Sequence, residues 1–487
     1  MPRQRDDLRH DLTALYAFIE SIVGWSASRR SSAAYGPAAE EFFQFVGELA
    51  ESCESHIADF LVEDDEEFED RREELGTIRA AWRLMHLFVK PALDADTLQA
   101  PWTVVDGLAR RYRVLPGCGD TRFALFHTAE FNYVQVRTAD LQNIAAKIRK
   151  IIPIAPKFPS DLGLIGIPYS QGGTAFANCL VAHEMGHYRY RGTELENSLR
   201  PRIEDAYESL PDKFKAALDV EFRDASANKD IAIKRLAVWA EETFCDLFGL
   251  MLIGPCYSYA YIEAFDLSAV LDSGGQVSNE RFLPRLQFHE TYPSHIFRLQ
   301  QQSSLLRESP WWDHINGRTC RSAALLRALL DVPTEAHINE NPSQGKYIPL
   351  LESILPAIKE AIGKIFDGVD DGFTEFSQLN PVVQNCLAAG VVPSTLNILK
   401  GERADDTIRF AASPMVLLNS GMDFYLSRIN ELIGSIPDED VDSYPKRLHW
   451  LRRIEEWTAK ALEDQSLMME DEGDHSVERG NPETPQA

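Results

Sequence analysis

The run Val181-Ala182-His183-Glu184-Met185-Gly186-His187 carries an HExxH pattern inside an apolar stretch. Residues four apart lie on one face of a helix, with Cβ atoms roughly 6 Å apart. A helix here therefore presents the His183 and His187 imidazoles side by side. The preceding segment, Thr174 to Leu180, is mostly apolar and reads as a buried helix, with Gly172 and Gly173 ahead of it suited to a tight turn. Buried imidazoles need partners. Either these are core histidines with separate hydrogen bonds, or one cation satisfies both.

The pattern favours the cation. At this chain's His and Glu frequencies, chance would produce HExxH only about 0.02 times. Two imidazoles at this spacing reach one tetrahedral zinc, and the glutamate between them stands beside the open coordination position. His183 and His187 are thus expected to bind Zn2+, and Glu184 to act as the base. The longer HExxHxxGxxH form is excluded, because its Gly and last His positions are Tyr190 and Thr193. A third ligand must come from elsewhere. The segment from Trp239 to Gly249 offers Glu242 and Asp246 at i,i+4, set among Leu236, Trp239, Phe244, Leu247 and Phe248. Carboxylates in an apolar helix are costly unless paired or metal-bound. Glu242 is the expected third ligand, and Asp246, one turn on, is placed to accept the free ring N–H of His183. Glu241 is the rival ligand, and a solvated acidic stripe is the reading without chemistry.

With His183, Glu184 and His187 followed by Glu242 and Asp246, the chain resembles the gluzincin branch of zinc metallopeptidases over about a third of its length. The resemblance implies a zinc-dependent peptidase. The stretch Arg191 to Lys234 between the two motifs is longer than in the shortest members and is expected to be an inserted helical or lid element. Downstream, the segment His289 to Arg298 looks like the Pro-Ser…Arg segment that follows the glutamate ligand in several gluzincin-type peptidases, with Tyr292 where a histidine usually precedes the proline. It offers Tyr292, His295 and Arg298 as donors to a developing oxyanion. The plainer reading is a helix start at Pro293 with Arg298 in a salt bridge.

Composition narrows the partners. A net charge of −26 argues against a broad nucleic-acid interface and against docking to anionic membranes. The N-terminal residues Met1 to Asp7 are charged, without a secretory pattern. The most apolar stretch, Phe244 to Phe265, is interrupted by Asp246, Gly254, Pro255 and Glu263. Seven cysteines at scattered positions form neither a disulfide framework nor a CxxC pair. A cytoplasmic protein is expected. Cys179 and Cys245, near the proposed ligands, read as small core fillers.

The expected fold is α+β and mostly helical: a zincin-like catalytic core with a small sheet and an active-site helix, between N- and C-terminal helical regions. The expected boundaries are 1–103 (helical), 104–319 (core, with a helical insertion near 191–234), 320–462 (helical) and 463–487 (an acidic, disordered tail). In the first region, Glu63 to Glu74 is expected to be a solvated helix face or loop, followed by a helix from Ile78 to Val89. In the core, Arg122–His127, Phe131–Val136 and Gly163–Tyr169 read as strands around a helix Ala139–Ile152. Pro168 marks the last strand as an edge, where an extended peptide substrate could add. Helical runs are expected at Ala323–Leu330, Tyr347–Phe366, Phe373–Ala388, Met422–Ile436 and Tyr444–Leu462. The helical flanks are a possible surface for a regulatory protein partner. A zinc hydrolase of a non-peptide amide or ester, or a peptidase-like binding scaffold, are the alternative functions.

Overall fold

The computed structural model describes residues 2–30, 36–62, 73–82, 99–119, 121–128, 133–136, 138–168, 174–191, 194–209, 211, 225–271, 277, 292–333, 347–390, 392–393, 413–434 and 448–464. They are mostly helical with one small sheet, an α+β composition. The chain forms two compact units, residues 1–102 with 120–173 and residues 103–119 with 174–487. Several expectations fall wholly or partly outside the described residues: the acidic run 63–72, the helix beyond 82, residues 131–132 and 169, the glycines at 172–173, the segment 289–291, most of 210–224, and the tail from 465.

In the first unit, helices Pro2–Arg30 and Gly36–Val62 pack together. The second buries Phe42, Val46, Leu49, Cys53 and Ile57, a helical spacing that makes one apolar face. The ring of Trp25 meets Phe43 edge-on at 5.1 Å. The sheet has strands β1 (Arg122–Thr128), β2 (Val134–Val136) and β3 (Leu162–Pro168), in the order β1-β3-β2. β3 pairs parallel with β1 and antiparallel with β2. The expectation that Pro168 marks an edge strand is therefore wrong. β3 is central, and every one of its residues is buried. Pro168 is tolerated because it is the last residue of the strand, opposite Thr128 and beyond the Gly166 end of the β2 pairing. A strand with neighbours on both sides cannot accept a substrate backbone.

In the second unit, a 29-residue helix, Ala225–Ile253, is the central element. Leu236, Trp239, Ala240, Phe244, Cys245, Leu247, Phe248, Leu250, Leu252 and Ile253 are all buried, so its C-terminal half is covered on every side. Against it lies the motif helix, Val181–Tyr190. The apolar run ahead of the motif is not an α-helix as expected: Ala177–Leu180 is a single 3-10 turn that feeds the motif helix. A third helix, Pro255–Ala264 (the tyrosine helix), follows the central one after Gly254. Gly254 has φ 90°, a conformation L residues rarely adopt, and an added Cβ would crowd Trp311 at 3.1 Å. The reversal, with Pro255 starting the next helix, lays the tyrosine helix back beside the central helix. A fourth, His295–Arg307 (the arginine helix), is capped by Ser294, whose hydroxyl accepts from the Phe297 N–H.

The expected C-terminal helical runs appear as helices Arg321–Leu329, Ile348–Ile365, Phe373–Ala388 and Pro414–Gly434, and as a helix over 448–464. Helix Pro414–Gly434 begins well before the expected Met422, because Pro414 supplies a ready first turn. A helix Glu194–Glu208 occupies part of the stretch read as an insertion. No helix among the described residues is long and apolar enough to cross a membrane.

Glu455, on the helix over 448–464, is buried, and its carboxylate faces the Phe176 N–H at 3.4 Å, just before the 3-10 turn. Burial pushes its pKa up to about 7, although the Phe176 N–H favours the ionised form. The folded pKa lies above the unfolded one, so stability is fullest below the unfolded pKa and falls as pH rises through about 7. Glu455→Gln is accordingly expected to match the natural chain at pH 4.5 and to be more stable at pH 8, by roughly 1–3 kcal/mol. Urea unfolding at the two pH values reads this out; an equal effect at both would count against it.

Candidate metal centre

The motif helix and the central helix meet at a glycine. A Cβ on Gly186 would lie 2.9 Å from the Cys245 Cα and 3.3 Å from its Sγ. Only a residue without a side chain permits this approach, which sets the imidazoles of His183 and His187 against the carboxylates of Glu241, Glu242 and Asp246. The two rings sit edge to face with centroids 4.9 Å apart.

Each ring turns the same nitrogen away from the shared space. His183 Nδ1 lies 2.9 Å from Asp246 Oδ1, and His187 Nδ1 lies 2.7 Å from Glu241 Oε1. An ionised carboxylate only accepts hydrogen bonds, so these contacts assign the ring hydrogens to Nδ1. Both Nε2 atoms then face Glu242: His183 Nε2 is 3.4 Å from its Oε2, where a ring proton is shared with the carboxylate, and His187 Nε2 is 3.7 Å from its Oε1.

Asp246 is the most heavily engaged of the carboxylates. Arg298 donates Nε to Oδ2 at 2.6 Å and its terminal nitrogen to Oδ1 at 2.9 Å; the Tyr257 hydroxyl donates to Oδ1 at 2.8 Å. Arg298 also reaches Glu242 Oε2 at 3.2 Å. Burial would raise both acidic pKa values, but the Arg298 charge and the His183 contact outweigh it; Glu242 falls to about 2 and Asp246 is held far below the usual range. Burial would lower His183, but hydrogen bonds to Asp246 and Glu242 raise it to about 10. The space between the rings and Glu242 thus draws in positive charge.

Among the described residues, His183, His187 and Cys245 bring their donor atoms within 4.8 Å of one another, and Glu242 faces both rings. Tetrahedral donors about 2.0–2.1 Å from zinc stand roughly 3.3–3.4 Å apart, close to the two nitrogen–carboxylate separations. Glu184, Glu241, Glu242 and Asp246 carry four formal negative charges, and Arg191 and Arg298 two positive ones. The cluster is therefore net anionic, and the raised His183 offsets part of that charge. Cys245 is an alternative third donor, its Sγ lying within 4.8 Å of the imidazole donor atoms. Burial pushes its thiol far up, with the surrounding carboxylates adding to the rise.

The remaining sequence candidates separate. Glu184 is buried on the motif helix. Arg298 is engaged with Asp246, the salt bridge of the plainer reading. His295 stacks on Phe265 at 3.9 Å, and its Nδ1 is 2.7 Å from the Tyr261 hydroxyl. Tyr292 is 42% exposed. Partial burial and the Glu242 charge raise its pKa. Sequence reasoning missed Tyr257 and Tyr261, the tie between Glu241 and His187, and Arg191, whose Nε contacts Glu241 Oε1. One signal was available: Arg191 continues the i,i+4 ladder of His183 and His187.

No protein-family profile, curated protein or solved structure matches the chain.

The helix crossing carries its own prediction. Gly186→Ala must push the motif helix off Cys245, at a cost of about 1–3 kcal/mol. Chemical denaturation is expected to show that loss, and a variant as stable as the natural chain would refute the role given to this contact.

Proposed function

We propose that the chain is a zinc-dependent peptidase, with His183, His187 and Glu242 as the metal ligands and Glu184 as the general base. The observation that carries this reading is the meeting of the His183 and His187 Nε2 atoms with the Glu242 carboxylate, at 3.4 and 3.7 Å, on the two helices that bear the HExxH motif and its acidic partner. A zinc ion would take the place of the proton that His183 shares with Glu242.

Zinc, when bound, supplies Lewis acidity and acidifies water at neutral pH. The protein's own groups do the rest. Asp246 and Glu241 hold the two rings by Nδ1, so that Nε2 is the donor in each. Glu184 takes the proton from the attacking water and delivers it to the leaving amine. Tyr292, His295 and Arg298 remain the three candidate oxyanion donors; Arg298 is forked onto Asp246, His295 meets the Tyr261 hydroxyl, and Tyr292 is 42% exposed. The zincin-like description of the core rests on the crossing of the motif and central helices; the sheet belongs to the other compact unit. Scattered cysteines and the absence of a membrane-length helix among the described residues support a cytoplasmic setting.

Elemental analysis and a peptide-library assay on the full chain test the proposal. The natural chain is expected to hold one zinc and to cleave peptides. Glu184→Gln should keep the zinc and lose at least about 100-fold in rate, the lower range for a positioned base. Glu242→Ala should lose the zinc. Normal hydrolysis by the Glu184 variant would overturn the mechanism, and unchanged zinc in the Glu242 variant would move the third ligand to another residue.

A further inference from the structure

The central helix carries two adjacent glutamates at the metal centre, Glu241 and Glu242, and the structure uses them differently. Glu242 faces both Nε2 atoms, whereas Glu241 turns to the far side of His187 and touches Nδ1 at 2.7 Å. The difference tracks with Arg191. This residue stands where the motif helix stops: its N–H still donates to the His187 carbonyl at 2.9 Å, and its ψ of 125° is already extended. From that position its guanidinium contacts Glu241 Oε1, the same oxygen that accepts from His187.

We infer that Arg191 and Glu241 form a positioning pair: Arg191 holds Glu241 on the Nδ1 side of His187, and the pair thereby sets how tightly the site keeps its metal. The inference rests on the zinc-site reading above. Its physical basis has two parts. Without Arg191, two adjacent carboxylates would compete for one cation, and Glu241 would be free to swing toward the ligand face. Without Glu241, His187 would lose the acceptor that fixes its ring hydrogen on Nδ1, and its ring would be free to turn. The arrangement parallels that on His183, where Arg298 holds Asp246 against Nδ1. Each imidazole therefore has its own guanidinium–carboxylate brace. The two braces differ in setting: Asp246 and Arg298 are both buried, whereas the Arg191 side chain is 31% exposed at the start of the segment leading to helix Glu194–Glu208.

The test measures zinc affinity of the full-length protein by competition with a chromophoric chelator, independently of catalysis. Glu241→Ala is expected to weaken zinc by about 10- to 100-fold. Glu241→Gln keeps an accepting oxygen and the side-chain shape, and should recover part of that loss. Arg191→Ala should weaken zinc less than Glu241→Ala, and Arg191→Lys less again. In a double-mutant cycle, adding Arg191→Ala to Glu241→Ala should cost nothing further, because Arg191 acts through Glu241. With cobalt in place of zinc, the visible absorption bands should shift in Glu241→Ala and in Arg191→Ala, reporting a changed ligand geometry that loss of general stability would not produce. The inference is overturned if Glu241→Gln and Glu241→Ala both hold zinc within about twofold of the natural chain, or if the Arg191 effect persists undiminished without Glu241. If the natural chain itself takes up no zinc, the peptidase reading fails first. If it binds zinc and the Glu241 variants bind it equally well, only the positioning pair fails.

Discussion

Asp246 is a buried carboxylate satisfied from three other helices at once. Arg298 comes from the arginine helix, Tyr257 from the tyrosine helix and His183 from the motif helix. Breaking one side of a buried ion pair typically costs about 3–5 kcal/mol, because the remaining charge is stranded. Asp246 therefore fixes where three helices sit relative to the central one. It also fixes the His183 ring, since the carboxylate accepts from Nδ1 and turns Nε2 toward Glu242. Stability and site geometry are set by the same group, so neither can drift without the other. The Gly254 turn is part of this arrangement: its positive φ lets Tyr257 return to Asp246 eleven positions along the chain.

The two imidazoles meet Glu242 at 3.4 and 3.7 Å, where His183 shares a proton with the carboxylate. They are held there by the outer contacts and by the crossing at Gly186, whose missing side chain lets two helices approach backbone to side chain. A preassembled site of this kind spends folding energy in advance and recovers it when a cation arrives, which is the general link between metal binding and stability.

The clustering of His183, His187, Glu242 and Asp246 was legible because they sit on helices, where spacing is geometry. His183 and His187, Glu242 and Asp246 each lie one turn apart, and their apolar surroundings mark both helices as buried. The helical C-terminal runs and the strands near 122–128 and 162–168 were legible for the same reason, from period and composition. What was not legible depends on long-range approach. Tyr257 meets Asp246 only because the chain reverses at Gly254, and nothing local to Pro255–Ala264 marks its tyrosines as polar partners rather than core. Arg298 was visible as an arginine with two possible roles, and only its distance to Asp246 separates them. Pro168 misled because a proline is informative about a strand only together with its position in the ladder: at the last residue, opposite Thr128, it interrupts no pairing with β2.

The charges around the site explain how two anionic braces can coexist beside Glu242. A carboxylate on each imidazole makes the ring a stronger donor and would, alone, surround the metal with negative charge and reduce its ability to polarise a carbonyl. Arg298 and Arg191 offset Asp246 and Glu241 respectively. The orienting hydrogen bonds are kept while their field is largely cancelled. The two guanidiniums thus act on the imidazoles through the carboxylates they hold.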